Sequence, residues 1–141
     1  NERFNKVWTC GWHSEAATML VRPPADGPSS AVVSFSDCTL NEGVTPPDLM
    51  AATAKWNAYL DEQEVAAAIA YHFPGHGNPT DMTADMKISD WRPSLETYGR
   101  AADLYVNGGG RQMDDAIFGE IMSCDSPRMY AATLVRAGQA Q

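Results

Sequence analysis

The chain has 141 residues, 44% of them hydrophobic and 20% charged, which suits one folded domain with its own core and excludes wholesale disorder. Its 18 acidic residues outnumber 10 basic ones for a net charge of −8, and no local cluster of lysine and arginine offsets this, so nucleic acid is not an expected partner. No apolar run approaches the roughly 20 residues that cross a bilayer, and membrane insertion is not expected either.

Residues 1–30 read as an arm packed on the domain that follows. Val7, Trp8, Cys10, Trp12 and His13 crowd large side chains into a short stretch, and two tryptophans so close rarely stay solvated. Ala16 to Val21 has the composition of a short strand. Arg22 to Pro28, with three prolines and a glycine, is a linker.

Ala31 to Cys38 alternates as a strand does, with Val33 and Phe35 on one face and Val32, Ser34 and Ser36 on the other. Thr45-Pro46-Pro47-Asp48 announces a helix: a capping threonine, proline at the tolerated first position and an acidic residue three places after the cap. Leu49, Ala52, Trp56, Tyr59 and Leu60 then recur at steps of three and four, as one apolar stripe. Val65 to Phe73 is an apolar run of strand length that ends in the turn-rich Pro74 to Pro79. Its alanines weaken the strand reading on propensity alone.

Met86 to Trp91 is a second β-rich segment. Ser94 to Tyr105 is helical, with Leu95, Tyr98, Ala102 and Tyr105 in register, and Asn107 to Gly110 terminates it. A further helix is predicted over Gln112 to Ser123 and a last strand over Met129 to Arg136.

Strand–helix–strand therefore occurs twice, with Ser36-Asp37 echoed by Ser89-Asp90. The order is that of a split βαβ pseudo-repeat: an α+β, ferredoxin-like domain over residues 31–141, its helices on one face of an antiparallel sheet. In element order this stretch resembles the dimeric α/β-barrel superfamily, in which two such units pack sheet against sheet. The resemblance implies a homo-oligomer and a pocket lined by large side chains. No motif of its monooxygenase, EthD-like or stress-responsive branches is legible.

Candidate chemistry is sparse. His72 and His76 flank the end of the Val65 to Phe73 strand, and either could act as an acid or base. Cys10-x-x-His13 could join them around zinc only if the arm folds over, and no ligand cluster of recognisable spacing exists, so no metal or other cofactor is expected. Asp37 and Asp90 could divide acid and base roles. The simpler expectation is that each caps the turn that follows it. Asn107 to Arg111 lacks the lysine of a phosphate loop and reads as a helix end followed by a corner. Trp56, Tyr71, Phe73, Trp91 and Tyr98 are the aromatic residues expected to line a ligand pocket.

Cys10, Cys38 and Cys124 are widely spaced, as in disulfide-bonded exported proteins. With few lysines and a first residue, Asn1, that is not methionine, they point to a periplasmic or secreted protein. One disulfide is expected from Cys10, to Cys124 in preference to Cys38. The functional expectation is a domain that binds a small apolar molecule or a protein partner and self-associates through its sheet face. The alternatives are a small dimeric enzyme using His72 or His76 and a structural subunit of a larger assembly.

Overall fold

The structure is a computed structural model and describes residues 14–24, 30–78 and 81–133. Six strands, β1 (Ala16–Arg22), β2 (Ser30–Leu40), β3 (Ala68–Pro74), β4 (Met86–Arg92), β5 (Met122–Cys124) and β6 (Arg128–Thr133), form one antiparallel sheet. Three helices lie among the described residues, α1 (Pro46–Glu62), α2 (Leu95–Asn107) and α3 (Gly110–Phe118). The strands lie in the order β1-β3-β4-β2, and β5 and β6 both pair with the remaining edge of β2. Without β1 and β5 the path is βαββαβ in the spatial order β3-β4-β2-β6, which is the ferredoxin-like fold. The strand expected at Ala16 to Val21 exists, and it pairs with β3 as an edge of this same sheet. Residues 1–13, with Trp8, Cys10, Trp12 and His13, lie outside the described residues.

Local chemistry sets most boundaries. At the start of α1 the Asp48 carboxylate accepts from the Thr45 N–H at 2.9 Å and from its hydroxyl. Ser94 accepts from the Thr97 N–H at the start of α2. Asp37 and Asp90 therefore cap neither helix; both lie within strands, which corrects the expected capping role. The strand expected from Val65 begins only at Ala68. Glu64 turns the chain at a positive φ of 53°, and the Val65 N–H bonds back to the Leu60 carbonyl, so residues 65–67 belong to the connection. The helix expected to run to Ser123 stops at Phe118, because the chain must turn there to lay β5 along Cys38 to Leu40.

The helices cover one face of the sheet. Leu49, Tyr59 and Leu60 of α1 meet Ile69, Tyr71, Met86 and Cys38 there in a continuous core. A disulfide links Cys38 to Cys124, directly opposite in the β2–β5 register, with 4.1 Å between the Cα atoms. This replaces the expected Cys10–Cys124 bond, and the account of the arm as tethered by that bond falls with it. The reason is geometric: β2 and β5 are adjacent and face the two cysteines toward each other across the ladder.

Candidate functional site

Between the sheet and the three helices lies a cleft of about 610 Å³. The pleat decides what reaches it, since alternate residues of each strand point to opposite faces. On the helix side, register aligns Ile69, Asp90 and Ser34 across β3, β4 and β2, with Tyr71, Ile88 and Ser36 in the next row. Trp56 and Leu60 of α1, Tyr98 and Tyr105 of α2, and Phe118 of α3 form the walls. Trp56 is fixed by a tilted contact with Tyr59, centroids 5.3 Å apart, and an edge contact with Phe118 at 6.1 Å.

The floor is polar. Arg92 donates through Nη2 to Asp90 Oδ2 at 2.6 Å and through Nη1 to the Ala66 carbonyl at 3.3 Å. Asp90 Oδ1, Arg92 Nε and the Tyr59 hydroxyl are removed from solvent and have no hydrogen-bond partner among the described residues. Burial pushes the Asp90 carboxyl above its ordinary range, with the Arg92 charge and hydrogen bond opposing it. Near the α2–α3 corner the Tyr105 hydroxyl donates to Asp114 Oδ2 at 2.9 Å. Burial and that hydrogen bond push the Tyr105 phenol up to about 12, and burial also raises Asp114.

None of the three described helices lies on the opposite face. Its residues lie in rows across the strands: Ala68, Trp91, Val33 and Tyr130; then Leu20, Ala70, Ser89, Phe35 and Arg128; then Thr18, His72, Lys87 and Asp37. The face thus grades from apolar to charged. Asp37 bonds both Lys87 and Arg128, and Arg128 also holds Asp125. A chain of hydrogen bonds runs from Thr18 Oγ1 to His72 Nδ1 (2.9 Å), from His72 Nε2 to Ser89 Oγ (2.8 Å) and from Trp91 Nε1 to Ser89 Oγ (3.1 Å). The Trp91 N–H donates to Ser89 Oγ, which retains both a proton and a second lone pair for Nε2. Ser89 is fully buried, so this Ser–His pair is closed to a substrate.

Among the residues expected to line a pocket, Trp56, Tyr71 and Tyr98 line the cleft. Phe73 shares that face but packs against the core outside the cleft. Trp91 points the other way. Among the acid–base candidates, only Asp90 is in the cleft; His72 and Asp37 are on the opposite face, and His76 is exposed in the turn after β3. The two Ser-Asp pairs are out of phase: Ser36 and Asp90 face the helices, Asp37 and Ser89 the open side. Asp37 and Asp90 consequently cannot act as a carboxylate pair. Arg92, Asp114 and Phe118 are not reached from sequence, and Tyr59 and Tyr105 enter there only as apolar-stripe residues of their helices. Arg92 was legible, standing two residues after Asp90 on a strand and so on the same face. Among the described residues, no group of three histidine, cysteine or acidic side chains could hold a metal ion.

No family model matches the chain, and no curated protein matches it. Among solved structures it is similar to a dimeric protein of unknown function and ferredoxin-like fold from Bacteroides fragilis, at 10% identity, over 74% of this chain and 96% of that one, with a TM-score of 0.38.

Proposed function

We propose that the protein is a binding domain that takes a small, mainly apolar molecule into the cleft between its sheet and helices. The observation that carries this reading is the cleft itself, about 610 Å³ walled by Trp56, Leu60, Tyr98, Tyr105 and Phe118 and lined at its floor by the paired Asp90 and Arg92. A concave, largely apolar site with a few converging polar groups is the usual form of a ligand pocket. His72 and His76 lie outside the cleft, which supports binding over acid–base chemistry. The Cys38–Cys124 bond supports a periplasmic or secreted setting, since disulfides persist in oxidising compartments. Among the described residues, no helix is long and apolar enough to cross a membrane.

The test is titration with N-phenylnaphthylamine, a neutral apolar fluorophore, against the native protein and Ala101→Trp, which places an indole from α2 into the cleft. One probe per chain should bind the native protein and none the variant, with circular dichroism unchanged. Absence of binding to the native protein, or equal binding by both, would overturn the reading.

A second reading concerns the sheet face opposite the three described helices, which we infer to pair with the same face of a second copy. Trp91 (37% exposed) and Tyr130 (52% exposed) flank the buried Val33 in one row, and Phe35 meets Tyr130 edge-on at 5.9 Å. Although the chain carries −8, Lys87 and Arg128 here balance Asp37 and Asp125, so two copies meet with little repulsion.

A further inference from the structure

We propose that the cleft selects a neutral alcohol: an aromatic or alicyclic body with hydroxyl groups at one end, held by the side chains of Ser34 and Ser36. This rests on the ligand-cleft reading above and adds the chemical class of the ligand. Strand β2 lies inside the sheet, bonded to β4 on one side and to β5 and β6 on the other. Its helix-facing residues therefore stand at the middle of the covered face, where a packed layer carries apolar side chains. Val32 and Cys38 follow that rule, and both are buried. Between them stand Ser34, 7% exposed, and the half-buried Ser36, and both line the cleft. Helix α2, which meets β2 and β4, buries none of its own residues. Two short polar side chains beneath a helix that seats nothing in the layer leave open the space that close packing fills elsewhere.

Charge supplies a second, independent argument. Of the charged groups lining the cleft, Asp90 pairs with Arg92, Asp114 accepts from Tyr105, and Asp125 is held by the Asp37 N–H and by Arg128. That leaves Asp115, which is exposed. Asp90 Oδ1, Arg92 Nε and the Tyr59 hydroxyl are sealed from the cavity and meet no guest. An ammonium or carboxylate head would give up its hydration here without an unpaired counter-charge inside the cleft. A serine hydroxyl both donates and accepts, so it answers an alcohol with no formal charge on either side. Trp56, Tyr98 and Tyr105 take the apolar body.

Displacement of N-phenylnaphthylamine from the full, oxidised chain by methylnaphthalene, naphthalenemethanol and naphthylethanediol tests this at neutral pH. In a purely apolar cavity each added hydroxyl weakens binding, because it favours water. Here affinity should rise along the series, about fivefold per hydroxyl. The Ser34→Ala/Ser36→Ala double variant should still bind the fluorophore and should reverse the order. A rising order kept by that variant would overturn the role of the serines. If the variant does not fold, naphthylmethylamine and naphthoic acid on the native protein decide instead, and both should bind more weakly than naphthalenemethanol. Affinity that falls along the series in the native protein, an amine or acid tighter than the alcohol, or no displacement by any of them would overturn the alcohol assignment while leaving the ligand cleft standing. Failure of the fluorophore itself to bind would overturn the cleft.

Discussion

Cys38 and Cys124, 86 residues apart in the chain, face each other across neighbouring strands and are joined by a disulfide. A covalent link closing a span of that length removes about 4–5 kcal/mol of chain entropy from the unfolded state. The Cys38→Ala/Cys124→Ala double variant should lose roughly that amount in urea unfolding. Peptide mapping without reduction should recover the Cys38–Cys124 fragment. Unchanged stability, or a fragment joining Cys10 to Cys124, would reject this pairing.

The Tyr71 hydroxyl and Thr53 Oγ1 are 2.7 Å apart in the core, and Thr53 donates onward to the Leu49 carbonyl at 2.7 Å. Thr53 therefore accepts from Tyr71. Tyr71→Phe leaves Thr53 its own acceptor and should cost about 1 kcal/mol. Thr53→Val strands the Tyr71 hydroxyl, whose residue is 2% exposed, and should cost more, about 1–3 kcal/mol. Denaturant midpoints in the reverse order would show that the hydroxyls are paired otherwise.

His72 should make the fold acid-sensitive. Burial first, and then the Lys87 charge, hold its imidazole below the ordinary histidine value of about 6.5. The unfolded chain therefore binds the proton more readily, so the contribution of His72 is fully present above 6.5 and is lost as pH falls through the folded-state value. Protonation also makes both ring nitrogens donors, toward Thr18 and Ser89. Urea midpoints measured upward from mildly acidic pH should rise more steeply for the native protein than for His72→Gln. Parallel curves would mean that His72 is not linked to folding.

The sheet face opposite the three described helices should yield a homodimer at high micromolar concentration by sedimentation velocity, and Tyr130→Glu should convert it to monomer with the thermal midpoint of the protomer retained. A monodisperse native monomer at that concentration would sink the pairing.

Strand β2 and the start of α1 were legible because they depend on neighbours in sequence: β-branched alternation in one, Thr45 with Asp48 in the other. The start of β3 was not, because alanine fits several conformations and the boundary is set by Glu64 and by the bond from Val65 to Leu60. Sheet phase decided the site. From composition, Phe73 and Trp91 looked equally suited to a pocket, yet strand parity places them on opposite faces, and only the register with β2 shows which face the helices take. The contact of Tyr105 with Asp114 spans the corner at Gly108 and Gly109, where Gly109 has a φ of 87°. No periodicity passes through such a corner.

The position of the disulfide also decides how the molecule bears a load. A pull applied at Ser30 and Thr133 passes through β2 to Cys38, crosses to Cys124 and leaves through β6, so the helices, β3 and β4 sit in a slack loop outside the line of force. Because Ser30 lies opposite Thr133, both ends are drawn from the same side, and the β2–β6 ladder opens one hydrogen bond at a time, like a zip, instead of shearing as a block. The zip stops at the sulfurs, and under tension the oxidised protein extends only by the chain that lies outside them.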